Sequence, residues 1–144
     1  MLQLRPYQEQ MKAEIYSKWQ NGFKNVLLVM PTGTGKTKTF CSIAIDLAIN
    51  NVAQQITGDM KLPTAIQVHR KELVQQICLT LAEENIPHNI IAPKPVILGI
   101  VAAQRQMLKK SLYNYNANVT VVSVDTLNAR ILNHKEWAKK IRLW

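Results

Sequence analysis

The chain has 144 residues, 47% of them hydrophobic, and a formal net charge of +9. This length fits one α/β domain with a hydrophobic core and leaves no room for a second full domain. No apolar run approaches the ~20 residues that span a membrane, and the N-terminus lacks the regions of a signal peptide, so we expect a cytoplasmic protein. The charge favours a polyanionic partner such as nucleic acid, although a solvated lysine-rich surface explains it equally well.

The first predicted element is an amphipathic helix near the N-terminus. Tyr7, Met11, Ile15 and Trp19 recur every four residues, and the pair Asn21-Gly22 ends the pattern. An apolar run over residues 25–30 then predicts a strand.

A glycine-rich segment follows this predicted strand and contains Gly33, Gly35, Lys36 and Thr37. It fits the pattern G-x-x-x-x-G-K-[ST], except that Met30 stands at the first glycine position. The glycines let the backbone turn its N–H groups inward, the lysine supplies charge for the β- and γ-phosphates, and the threonine hydroxyl is a ligand for Mg²⁺. The segment therefore predicts a phosphate-binding loop for a nucleoside triphosphate, placed at the anion-attracting N-terminus of a helix.

Residues 40–49 are apolar on nearly all sides and predict a well-buried helix, which carries Cys41. Residues 52–63 are interpreted as a surface loop. Cys78 lies in a second helical pattern with apolar neighbours, so both cysteines are interpreted as core thiols in preference to a disulfide or a catalytic pair.

Strands and helices alternate in the remainder of the chain. Thr64–Val68 is a predicted strand and residues 71–85 are a predicted helix. Residues 96–101 and 119–124 are two further strand candidates, and the polar stretch between them is ambiguous. This succession predicts a parallel sheet.

Four segments carry a family resemblance: Leu4-Arg5-Pro6-Tyr7-Gln8, the loop from Met30 to Thr37, and the runs at 68–76 and 121–127. In this order they resemble the first motor domain of superfamily 2 helicases, in the branch of excision-repair helicases, restriction-enzyme motor subunits and phage helicases. The resemblance implies a RecA-like P-loop NTPase fold, a three-layer α/β sandwich with a mainly parallel sheet. Residues 1–144 would form the N-terminal portion of ATP-binding domain 1, with the sheet incomplete at the C-terminus.

The resemblance implies an ATP site that also holds Mg²⁺. Gln8 would read the adenine edge and Tyr7 would pack beside the base, although Pro6 and Gln8 also fit a simple helix start. Lys36 and Thr37 would act in catalysis, with Thr37 as the Mg²⁺ ligand. The predicted nucleotide-binding residues are Tyr7, Gln8, Thr32, Gly33, Thr34, Gly35, Lys36 and Thr37.

The resemblance also implies contacts with a nucleic-acid backbone, with DNA favoured over RNA. His69 and Arg70 lie in the first backbone-holding motif, and Ser123, Thr126 and Arg130 lie in the second. For the hydroxyl groups, capping of the next helix is an equally good explanation. His69 has no metal-binding residue at a suitable spacing, so we assign it no metal role.

The family pattern continues with a strand that ends in an Asp-Glu-x-His box, and residues 141–144 resemble the start of that strand. We therefore expect that the chain is cut inside its fold and lacks these acids and the second motor domain, which supplies an arginine finger. The parent protein would be an ATP-dependent helicase. This chain alone would bind nucleotide without hydrolysing ATP or unwinding a duplex.

Two other functions remain open at this point. A complete small P-loop kinase would use Asp125, at the end of an apolar strand, as its metal-site acid. A non-catalytic nucleic-acid-binding module would retain the loop without turnover. Replacement of Asp125 by alanine would abolish Mg²⁺-ATP binding in the kinase and leave it nearly intact in the helicase.

Overall fold

The fold was analysed in a computed structural model, which describes residues 2–50, 52–58, 61–130 and 139. The chain divides into two compact units, Met1–Lys61 and Leu62–Trp144, called here the N-terminal and C-terminal units. Each unit is described by itself.

Among its described residues, the N-terminal unit has three helices that pack together: α1 (Pro6–Gln20), α2 (Lys36–Ala48) and α3 (Ala53–Thr57). Proline suits the first position of α1 because its fixed φ matches the helix and its missing N–H would have no partner there. After α1, Gly22 adopts a φ of +91°, which glycine tolerates and other residues avoid. The predictions of the first helix and of the buried second helix are confirmed.

The buried face of α1 is more polar than its sequence pattern indicates. Ile15 is buried, but so are Gln8 and Lys12. The Lys12 ammonium donates to the Ser42 hydroxyl and pairs with the carboxylate of Asp46, each at 2.7 Å. These bonds attach α1 to α2, and they satisfy a charge whose burial without a partner would be costly.

Two local predictions for this unit are wrong. Residues 25–30 form no strand, and Leu27 and Val29 are largely exposed. A strand requires a neighbouring backbone as hydrogen-bond partner, and among the described residues this segment has none. Residues 52–63 are not entirely a loop, because they include the short helix α3.

In its described residues up to 130, the C-terminal unit contains a three-stranded parallel sheet and three helices. Its elements are β1 (Thr64–Val68), α4 (Lys71–Glu83), β2 (His88–Ile91), α5 (Lys94–Leu108), β3 (Val119–Ser123) and α6 (Val124–Arg130). The strand order is β1-β3-β2, with Val121 opposite Ile66 on one side and Ile90 on the other. All five residues of β3 are buried, as expected for the central strand of a parallel sheet. The predicted parallel sheet is confirmed.

The prediction of a strand at residues 96–101 is wrong, because these residues lie inside the helix α5. A short apolar run does not by itself distinguish a strand from a buried helix, and here Ile100 and Gln104, one turn apart, form the buried face. On the side of β3 opposite to β1, the pairing strand is β2, which the sequence pattern missed. It has only four residues and lies between prolines at positions 87 and 93.

No helix among the described residues is long and apolar enough to cross a membrane. The predicted strand start at 141–144 lies outside the described residues.

Candidate phosphate-binding loop and strand-end surface

The glycine-rich segment forms a tight turn directly before α2. The backbone N–H and the hydroxyl of Thr34 both donate to the carbonyl of Pro31, at 3.4 and 2.5 Å. Gly33 and Gly35 have φ angles of +80° and +82°, in the left-handed region that favours glycine. The positive φ angles therefore explain why glycine stands at both positions, of which only Gly35 is a glycine of the sequence pattern.

The loop presents N–H groups at the N-terminus of a 13-residue helix. Gly35 is the N-cap of α2, no side chain caps this end, and its first turn holds no acidic residue. Within the described residues, the N–H groups of Gly35 and Lys36 donate no hydrogen bond. Such groups, together with the positive end of the helix dipole, fit an anion of the size and charge of a phosphate.

The side chains expected to contact phosphates lie on this turn. Thr32 and Lys36 are exposed, and Thr37 is half-buried in the first turn of α2. The N-terminal unit thus brings the loop lysine and the candidate Mg²⁺-binding hydroxyl together beside the helix N-terminus. The described residues contain no group of three or more His, Cys, Asp or Glu side chains that could hold a metal ion.

Tyr7 and Gln8 contact the loop through its carbonyl groups. The Tyr7 hydroxyl donates to the Thr34 carbonyl at 2.6 Å, and the Gln8 amide nitrogen lies 3.2 and 3.0 Å from the carbonyl oxygens of Thr34 and Gly35. The Gln8 amide oxygen accepts from the N–H of Arg5 at 2.8 Å, and Gln8 is 3% exposed. Adenine recognition by Gln8 stays a prediction, in which the base competes with the loop for the same amide group.

Thr39 is a further loop contact, and the loop pattern does not include it. Its hydroxyl donates to the Gly35 carbonyl at 3.1 Å and accepts from the Gln8 amide at 3.2 Å. The sequence pattern ends at Thr37, so only the position of Thr39 one turn above the N-cap could have indicated this role.

Cys41, two residues further along α2, has no place in the chemistry of the loop. The residue is fully buried, and burial raises the pKa of its thiol to about 12. A thiol that stays protonated is a poor nucleophile. Cys78 is buried in α4 as well, so the prediction of two core thiols is confirmed.

In the C-terminal unit, the two predicted backbone-holding motifs both lie at the carboxyl end of the sheet. Val68, the last residue of β1, lies opposite Ser123, the last residue of β3. His69 and Arg70 follow β1 and are exposed, and Thr126 lies in the first turn of α6 after β3. Neighbouring parallel strands are about 4.8 Å apart, so these segments are adjacent at the carboxyl end of the sheet.

The hydroxyl residues of the second motif differ from Arg70 in their accessibility. Ser123 and Thr126 are 4% and 6% exposed, whereas Asp125 between them is exposed. A nucleic-acid backbone would therefore meet Arg70 more readily than either hydroxyl group. Arg130 ends α6, and its side chain lies outside the described structure.

The glycine-containing loop at the start of α2 and the parallel α/β sheet of the C-terminal unit are both features of P-loop domains. The chain belongs to the family of the type III restriction enzyme res subunit, which residues 1–142 match. This is a family of N-terminal motor domains of superfamily 2 helicases, so the resemblance found in the sequence is confirmed. Comparisons with curated proteins and with solved structures found no match.

Proposed function

We propose that the chain is the nucleotide-binding part of an ATP-dependent nucleic-acid motor. In this proposal the loop from Thr32 to Thr37 binds the phosphates of ATP or ADP. Lys36 neutralises the β- and γ-phosphates, and Thr37 holds Mg²⁺ together with the nucleotide.

The observation that carries this proposal is the geometry before α2. Two glycines with positive φ, N–H groups without a partner in the described structure, and Lys36 in the first turn all converge on one helix N-terminus. The N-terminus of α2 has neither a capping side chain nor an acidic first turn, as is also true of α3 and α5. What supports phosphate binding at α2 is the pair of positive-φ glycines directly before it together with Lys36.

The proposed second ligand is a nucleic-acid backbone, with DNA favoured over RNA. Its support is the exposed Arg70 at the carboxyl end of the sheet, together with the net charge of +9. Arginine and backbone N–H groups bind phosphates without reading bases, as a motor that moves along nucleic acid requires. Translocation would depend on a second motor domain as partner.

We also propose that this chain alone does not turn over ATP at the rate of a complete motor. Its sequence contains no Asp-Glu-x-His box to position Mg²⁺ and the attacking water. Phosphoryl transfer depends on those positioned groups and on positive charge at the γ-phosphate. We therefore expect this chain to bind nucleotide without comparable hydrolysis.

The nucleotide-binding proposal is tested by calorimetric titration of the chain with ADP and with Mg²⁺-ATP. Lys36→Ala should weaken binding by more than tenfold, because a charge-assisted contact to phosphate is worth about 1.5–3 kcal/mol. Lys38→Ala is the matched control, since Lys38 is an exposed lysine two residues further along the same helix.

The role of Thr37 is tested by the same titration with Thr37→Val, which keeps the shape and removes the hydroxyl. The preference for ATP with Mg²⁺ over ATP with EDTA should disappear. Equal losses for Lys36→Ala and Lys38→Ala, or no nucleotide binding by the unaltered chain at millimolar concentration, would contradict the proposal.

A further inference from the structure

Two side chains at the start of α1 donate hydrogen bonds to carbonyl groups of the loop. The Thr34 carbonyl accepts from both the Tyr7 hydroxyl, at 2.6 Å, and the Gln8 amide, at 3.2 Å. The Gly35 carbonyl accepts from the Gln8 amide at 3.0 Å and from the Thr39 hydroxyl at 3.1 Å. Both peptide groups between Thr34 and Lys36 are therefore fixed by side chains.

Fixing a carbonyl also fixes the N–H of the same peptide group. A trans peptide is planar, so its C=O and N–H point in opposite directions. Because the Thr34 carbonyl points at Tyr7 and Gln8, the Gly35 N–H points away from them. In the same way, the Lys36 N–H points away from the partners of the Gly35 carbonyl. Both of these N–H groups lack a hydrogen-bond partner in the described structure.

Gly35 and Gln8 depend on each other sterically. A Cβ atom at Gly35 would collide with the Gln8 amide nitrogen, and the φ of +82° independently disfavours any residue with a side chain. Gln8 in turn is held by the Arg5 N–H and is 3% exposed, so it has little space in which to move away. The start of α1 and the loop are therefore joined by hydrogen bonds and by close packing of Gln8 against Gly35.

We infer that Tyr7 and Gln8 are positioning residues that aim the Gly35 and Lys36 N–H groups at the phosphates before any nucleotide binds. The inference rests on the proposed function of the loop as a phosphate site. In this inference the Tyr7 hydroxyl acts on phosphate binding, through the Thr34 carbonyl, and not on the base. The contribution of Tyr7 is then the same for any nucleoside polyphosphate and for an inorganic polyphosphate that has no base.

The test compares the binding of ATP, GTP and inorganic tripolyphosphate to the unaltered chain and to Tyr7→Phe. This substitution removes one hydroxyl and keeps the ring. Loss of one partly buried hydrogen bond predicts affinities roughly three- to tenfold weaker, by the same factor for all three ligands. The melting temperature is recorded in parallel, since a purely structural role would lower it without a matching change in tripolyphosphate affinity.

Tyr16→Phe is the matched control for the same experiment. Tyr16 also lies on α1, but it donates its hydroxyl to a group on α2, namely the Asp46 carboxylate at 2.7 Å. That bond does not touch the loop. Tyr16→Phe should therefore leave all three affinities unchanged, whatever it does to the melting temperature.

Three outcomes separate this inference from the proposed function. If the unaltered chain binds none of the three ligands, the proposed function itself fails. If the unaltered chain binds tripolyphosphate and Tyr7→Phe binds it equally well, only the positioning role is overturned. A loss confined to ATP would also overturn it, because Tyr7 would then act on the base. Should Tyr7→Phe not fold, Gln8→Met carries the test with tripolyphosphate alone, because Gln8 is also the predicted adenine contact; unchanged tripolyphosphate affinity would overturn the positioning role.

Discussion

His88 is a buried imidazole whose two ring nitrogens both have partners. Its Nδ1 lies 2.8 Å from the Ile86 carbonyl and its Nε2 lies 3.1 Å from the Gln104 amide nitrogen. The Gln104 amide oxygen accepts from the Leu112 N–H at 3.0 Å, which fixes the orientation of this amide. Nδ1 therefore carries the proton and Nε2 accepts, so the network suits a neutral ring.

Acidification should destabilise the fold through His88. Burial lowers the pKa of His88 below its usual value of 6.5. As the pH falls below 6.5, the unfolded chain binds a proton that the folded chain excludes, so the free energy of unfolding decreases by up to about 1.4 kcal/mol per pH unit. The loss stops once His88 is protonated in the folded state. Urea denaturation at several pH values measures this slope.

Two histidine variants attribute the slope to one residue. His88→Asn should be less stable at neutral pH and should lack this part of the pH dependence. His69→Asn, at an exposed position, should retain it. A slope that persists unchanged in His88→Asn would show that another group is responsible.

At the scale of elements, α5 contains a glycine that its packing does not require. Gly99 lies inside the helix, and a Cβ atom there would meet no atom within 4 Å. It lines a groove of about 340 Å³ between α4 and α5, together with Ala103 and four side chains of α4. These α4 side chains are Glu72, Gln75, Gln76 and Leu79. The groove leaves room for a methyl group.

Gly99→Ala should therefore stabilise the protein by about 0.5–1 kcal/mol, because alanine loses less backbone entropy in a helix. A melting temperature of Gly99→Ala above that of the unaltered chain would show this stabilisation. Gly22→Ala is the contrasting control, since Gly22 also has open space but a φ of +91°. That variant should lower the melting temperature. A fall for Gly99→Ala would mean that the groove is more tightly packed than the structure indicates.

At the scale of the whole molecule, the net charge of +9 and the position of Arg70 make separate predictions for nucleic-acid binding. Diffuse charge predicts that any lost arginine weakens binding equally. A contact between Arg70 and the nucleic-acid backbone at the carboxyl end of the sheet predicts that Arg70→Ala weakens the binding of single-stranded DNA more than Arg105→Ala does. Arg105 is a suitable control because it is exposed in the last turn of α5.

Salt dependence measures the same difference. Each phosphate contact to a single strand contributes about −0.7 to the slope of log affinity against log salt concentration. Arg70→Ala should make this slope shallower by about that amount, and Arg105→Ala should leave it nearly unchanged. Equal effects of the two variants in fluorescence-anisotropy titrations would argue for charge alone.

The amino-acid pattern was sufficient wherever a local rule decides the outcome. The period of four in α1, the apolar run of α2, and the strands β1 and β3 were all predicted, since each pattern reflects which face of an element meets the core. The loop residues Gly33, Gly35 and Lys36 were also located from sequence. The positive φ that glycine tolerates and the charge of lysine are properties of the residues themselves. The family followed from the order of these motifs.

Tertiary structure alone decided the features that depend on a partner. Residues 96–101 became a helix and His88–Ile91 became a strand because of the neighbours that these segments meet, and a short apolar run does not encode its neighbours. The burial of Gln8 and Lys12 likewise depends on carbonyl, hydroxyl and carboxylate groups about 30 residues away. Sequence by itself located the glycine-containing loop before α2, while only the fold showed that the start of α1 holds the peptide groups of this loop in place.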